Sequence, residues 1–160
     1  MNLSKQNDWI PAIAALGLRI VTGGVFAFSG LIKLLEPYEN FRGILAQYQL
    51  IPPFLNPILA HTVPWLEFLS GIFLILGFSL VPAALAVSGL AGSFALLLGS
   101  SMLFKIGLPD HCGCFGQVLS LTLKQMLALD AVNTLGGLYL ALKPHYGLTV
   151  DRLFLGGHDD

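Results

Sequence analysis

The chain's two cysteines, Cys112 and Cys114, stand one residue apart within Asp110-His111-Cys112-Gly113-Cys114-Phe115-Gly116. A disulfide needs Cα atoms about 4.4–6.8 Å apart, which cysteines separated by one residue can just reach if the backbone bends sharply. Gly113 and Gly116 supply the backbone freedom for that bend, including φ > 0. The pair can therefore pass between dithiol and disulfide without moving anything else. The thiolate is the reactive form of cysteine, and positive neighbours favour it. His111 adjoins Cys112, and Lys105 and Lys124 flank the stretch, whereas Asp110 opposes a thiolate unless it orients His111.

Two other chemistries compete with redox exchange at this motif. Two soft thiolates suit Cu(I), Hg(II) or arsenite, with His111 as a third donor. Four-ligand structural zinc is disfavoured because the other histidines, His61, His145 and His158, are scattered along the chain. The third reading is a static staple of the loop. A bridge closing so small a ring removes little unfolded-state entropy, so it stabilises poorly. The same small ring is expected to be easier to reduce than an ordinary structural bridge. Redox exchange leads, and no metal ligand set is assigned.

The elements that hold this motif belong in a membrane. Of 160 residues, 55% are hydrophobic and 11% charged, and mean hydropathy is +0.77. A soluble domain carries about 25% charged residues. Apolar runs predict four transmembrane helices at about 11–35, 57–78, 82–104 and 121–142, enough to account for the whole length at about 20 residues per span. They form one integral membrane domain, an all-α four-helix bundle over 1–160. The first run is read as a helix rather than a cleaved leader, since no small-residue cleavage site closes a short apolar core. Between the first two helices, Tyr38, Phe41, Ile44, Leu45 and Tyr48 recur at helical spacing against Glu39, Asn40, Arg42 and Gln47. That pattern predicts a short amphipathic interfacial helix over 37–50. Pro52 and Pro53 end it. The cysteine loop spans 107–120, joining the third helix to the fourth.

Four helices put both termini on one side, and the cysteine loop with the amphipathic segment on the other. Lys5, Lys143 and Arg152 on the terminal side oppose Lys33, Arg42, Lys105 and Lys124 on the loop side, so charge leaves the orientation open. A net charge of −1 argues against a nucleic-acid partner. Arg19, Lys33, Glu67 and Asp130 are the charged residues embedded in the apolar runs away from the cysteine loop. Lys33 lies near enough to a helix end to snorkel towards an interface. Arg19 is expected to meet Glu67, Asp130 or both, because an unpaired charge is costly in hydrocarbon. These groups serve either as structural anchors or as a polar pocket for a proton, a partner or a quinone.

Phe26-x-x-Ser29-Gly30-x-x-Lys33, Tyr48-x-Leu50-x-Pro52, Pro64-Trp65-x-Glu67-x-x-x-Gly71, Cys112-Gly113-Cys114-Phe115-Gly116 and Asp130 together resemble the DoxX/MauE family, most closely its methylamine utilisation MauE branch. The resemblance implies a four-helix bundle of the cell inner membrane with the cysteines on the extracytoplasmic face. It also implies disulfide handling with a thioredoxin-like or periplasmic partner. The family is similar in turn to the vitamin K epoxide reductase type of bundle, which passes disulfide electrons to a quinone, so a quinone is the cofactor that the resemblance allows. This chain departs from that type in having no second cysteine pair and a spacing of one residue rather than two.

Overall fold

Apolar side chains at helical spacing, punctuated by Pro and Gly, give five α-helices and no strand among the described residues. The computed structural model describes residues 9–48, 51–104 and 122–143, with side chains from Ile13 onward. In order they are α1 (Trp9–Leu35), α2 (Tyr38–Gln47), α3 (Asn56–Leu76), α4 (Leu80–Phe104) and α5 (Leu123–Leu142). Pro37, at φ −55° and ψ 131°, turns the chain from α1 into α2. The short α2 buries Phe41 and Leu45 against Ala60 and Val63 of α3 and leaves Glu39, Asn40 and Arg42 exposed. Its amphipathic pattern thus lays it across the bundle end where α1 finishes and α3 begins.

Gly77 stops α3 in the left-handed region at φ 70°. The Phe78 N–H donates back to the Phe73 carbonyl at 3.1 Å, and the Gly77 N–H donates to the same oxygen, closing the last turn. Ser79, also at positive φ, completes the reversal, and α4 starts at the next residue. At the opposite end of the bundle, Thr122 opens α5, its N–H donating to Gln125 Oε1 at 3.1 Å.

The long helices associate as two pairs, α1 on α3 and α4 on α5, which meet chiefly along α3 and α4 and more lightly along α1 and α5. Small residues decide how closely α1 and α3 approach. A Cβ at Gly30 would meet the Pro64 carbonyl oxygen at 2.7 Å, and one at Gly23 would meet the Gly71 oxygen at 2.7 Å. One at Gly71 would strike the backbone nitrogen of Ala27. Small side chains let helix backbones come this close, which is the usual route to tight association where lipid removes the hydrophobic drive. Gly137 does the same for α5, where a Cβ would meet the Ala84 oxygen of α4 at 2.9 Å. Gly17, Gly24 and Gly89 face open space and contribute nothing to these seams.

Outside the seams the surface is apolar: Val21, Leu35, Leu96, Leu103 and Leu135 are all more than half exposed. An apolar exterior of this extent fits lipid rather than water. Ile13–Leu35, Asn56–Leu76 and Leu80–Phe104 are long and apolar enough to cross a membrane, with mean hydropathies of 1.7, 1.6 and 2.0. The fourth expected span, α5, does not join them, since Lys124, Gln125, Asp130, Asn133 and Thr134 dilute its apolar character.

The α1–α3 seam generates a contrast in stability. Gly71→Val should lower the melting temperature of the detergent-solubilised protein, with a cost of about 1–3 kcal/mol as overpacking brings. Gly24→Ala, where a Cβ meets nothing within 4 Å, should leave it unchanged or slightly raised. Equal losses at the two positions would overturn the close-packing account.

Candidate functional site

α1 carries two buried cations at opposite levels of the bundle. Arg19 is 1% exposed and lies at the level where α3 ends, because the two helices run antiparallel through the Gly23–Gly71 and Gly30–Pro64 contacts. Its Nε donates to the Leu74 carbonyl at 3.2 Å, and an amino group donates to the Ile75 carbonyl at 3.4 Å. The last carbonyls of a helix lack internal partners and sit at the negative end of its dipole, so a guanidinium is well suited to them. Gly77 lies directly against that guanidinium, and a Cβ there would strike it. The expected meeting of Arg19 with Glu67 or Asp130 is therefore corrected. A side chain at position 19 reaches the C-terminal turn of α3, whereas Glu67 is level with the other end of α1.

Glu67 pairs instead with Lys33. The ammonium lies 2.7 Å from both carboxylate oxygens, and Ser29 Oγ donates to Glu67 Oε2 at 3.1 Å. Helical side chains lean towards their own N-terminus. In an antiparallel pair, Lys33 and Glu67 therefore lean towards each other. The ammonium also sits 4.9 Å from the ring centre of Phe41 on α2 and 5.2 Å from that of Phe94 on α4, within cation–π range. Lys33 is 5% exposed and Glu67 3%. Lys33 thus does not snorkel to an interface, because α2 folds over it and a carboxylate is available inside.

Beside this pair, α5 brings Asp130 and Asn133 to a small cavity. Both are buried, at 7% and 3% exposure. The Thr134 hydroxyl donates to the Asp130 carbonyl at 2.7 Å, and Met126 and Leu129 complete the α5 wall. From α1 the cavity receives Val25, Phe26, Ser29 and Lys33; α3 adds Glu67 and α4 adds Phe94. The result is a polar chamber at the seam of the two helix pairs, where a cation, two carboxylates, a hydroxyl and an amide converge.

Three of the four embedded charges singled out from sequence, Lys33, Glu67 and Asp130, are thus brought together, and Arg19 is held apart. Ser29, Asn133 and Phe94 line the chamber, and Phe41 faces the Lys33 ammonium, though none of the four stands out from sequence as a site residue. Asn133 carried a readable signal, since Asp130 and Asn133 are three apart and share a helix face. Phe94 carried none, lying in an apolar helix among similar residues. Asp110, His111, Cys112, Gly113, Cys114, Phe115 and Gly116 lie outside the described residues. Among the described residues, no three His, Cys, Asp or Glu side chains are grouped to hold a metal.

A family model described as methylamine utilisation protein MauE matches residues 10–143, which takes in the five helices but for the first residue of α1, and the cysteine motif. The chain belongs to that family. Neither a curated protein nor a solved structure matches it.

Breaking a buried ion pair from one side leaves an uncompensated charge and costs about 3–5 kcal/mol. Lys33→Met and Glu67→Leu should each lower the melting temperature steeply, and the double variant should recover most of the loss. Simply additive losses in that double-mutant cycle would show the two side chains to be uncoupled. At the other level, Arg19→Leu should cost about 1.5–3 kcal/mol, the range for hydrogen bonds from a charged group. An unchanged melting temperature for that variant would deny Arg19 its capping role.

Proposed function

We propose that this member of the MauE family is a four-span membrane thiol–disulfide redox protein acting through Cys112 and Cys114. The chain forms a single integral domain of the inner membrane, with the cysteine loop on the extracytoplasmic face and α5 as the fourth span. Twenty residues of α5 extend about 30 Å, the thickness of the hydrocarbon core. Its polar residues Asp130 and Asn133 face the bundle interior rather than lipid, which supports a spanning role despite its lower hydropathy.

One observation carries the redox reading. The chain's only two cysteines form a pair one residue apart, on the connection between α4 and α5. The flanking ends of those helices lie on the same side of the bundle as α2 and the Lys33–Glu67 pair, since Phe94 meets Lys33 and Leu98 packs on Met126. In the exchange, a thiolate of a thioredoxin-like or periplasmic partner attacks one sulfur of the Cys112–Cys114 disulfide. The second cysteine leaves as thiolate. The partner's other thiolate then displaces the first cysteine, so the partner becomes a disulfide and both cysteines are reduced. Run backwards, the same steps reduce the partner.

The test is a redox titration of the purified protein, read by thiol alkylation. Cys112 and Cys114 should behave as one two-electron couple with a potential above about −300 mV, the region below which structural bridges lie. Cys112→Ser or Cys114→Ser should trap a mixed disulfide with the partner while leaving the melting temperature unchanged. Stoichiometric uptake of Cu(I) or arsenite that either serine variant abolishes, without any mixed disulfide, would replace the redox reading by soft-metal binding.

A further inference from the structure

The chamber between α1, α3 and α5 contains a polar group that its neighbours do not satisfy. Asn133 is 3% exposed, and its Nδ2 has no hydrogen-bond partner among the described residues. An amide N–H buried without a partner loses its hydrogen bonds to water and gains none in return. Because Nδ2 only donates, the missing partner must be an acceptor. Glu67 is engaged by Lys33 at 2.7 Å and by Ser29 at 3.1 Å, and it lines the same cavity as Asn133. Between these groups about 20 Å³ is open to the centre of a water-sized occupant. One water needs about 10–15 Å³ measured in this way, and two to four polar partners.

We propose that this chamber is a binding site for a single water molecule, which accepts a hydrogen bond from Asn133 Nδ2 and donates to the carboxyl groups of Glu67 and Asp130. Charge selects the occupant as much as volume does. An anion would face two acidic side chains, and a cation would face the Lys33 ammonium and the Asn133 donor. Water is neutral and offers both the acceptor that Asn133 lacks and the donors that the carboxyl groups take. Phe26, Phe94 and Met126 supply the apolar part of the wall around it. Once bound, the water makes Lys33, Ser29, Glu67, Asp130 and Asn133 one hydrogen-bonded set, and so links α5 to the α1–α3 pair across the seam. The site stands whether or not the cysteines are redox-active.

Met126 makes the proposal measurable, because it lines the chamber and is 2% exposed. Hydroxyl radicals generated by brief X-ray exposure in ¹⁸O-water label a methionine sulfur that a water molecule touches. In the full-length protein Met126 should take up ¹⁸O as sulfoxide despite its burial, and Asn133→Leu should cut that label several-fold. The half-buried Met102 on α4, which does not line the chamber, should be labelled equally in both proteins. An unlabelled Met126 beside a labelled Met102, or a Met126 label unchanged in Asn133→Leu, would overturn the proposal. Should that variant fail to fold, a high-resolution structure of the wild type decides. Density within hydrogen-bond distance of Asn133 Nδ2 and a carboxyl oxygen supports the site, and a dry chamber refutes it.

Discussion

A lone charge at the centre of a bilayer costs roughly 2.5–3.5 kcal/mol even on lenient insertion scales. Lys33 and Glu67 meet that cost together, with the ammonium 2.7 Å from both carboxylate oxygens. The pair constrains far more than the two residues in it. It requires α1 and α3 to be antiparallel and in one register, and it draws in Phe41 from α2 and Phe94 from α4 as a ring environment for the cation. Ser29 occupies a further lone pair of the carboxylate. Four of the five helices thus contribute a side chain to the environment of one ion pair.

Small residues make that register reachable. Gly23, Gly30 and Gly71 bring the backbones of α1 and α3 to near contact, and at that separation a lysine and a glutamate leaning towards each other close to hydrogen-bond distance. The same register carries Arg19 to the far end of α3, where it caps Leu74 and Ile75. Each cation therefore fixes one end of the α1–α3 pair by a different chemistry. One is matched by a carboxylate, the other by the carbonyls and dipole of a helix end. Gly77 serves both the turn and the cap, having positive φ and no Cβ to displace the guanidinium.

The polar chamber lies where the α1–α3 pair meets the α4–α5 pair. In a redox membrane protein of the kind proposed, thiol chemistry takes place at one end of the bundle while the interior must stay intact. A fixed polar seam satisfies both needs. It orders the helices whose ends carry the cysteine connection, and it concentrates the polar groups in one place away from lipid. The family match covers this arrangement from the first turn of α1 to the end of α5.

Much of the fold could be read from the chain because its signals are local. Long apolar runs mark the helices, Pro52 and Pro53 mark the break before α3, and the alternation of Phe41 and Leu45 with Glu39 and Arg42 marks α2 as amphipathic. The Cys-Gly-Cys motif is legible for the same reason, since the two thiols are neighbours along the chain. The partners of the embedded charges were not legible. Arg19 and Lys33 are 14 residues apart on one helix and share a face, so spacing offers Glu67 to either. Which cation receives it depends on the level at which α3 stands against α1. That level is decided by the contact of Gly23 and Gly30 with Gly71 and Pro64, residues more than 30 positions away in the chain. Phe94 and Asn133 reach the chamber only through the packing of α4 and α5, which no periodicity within either helix specifies.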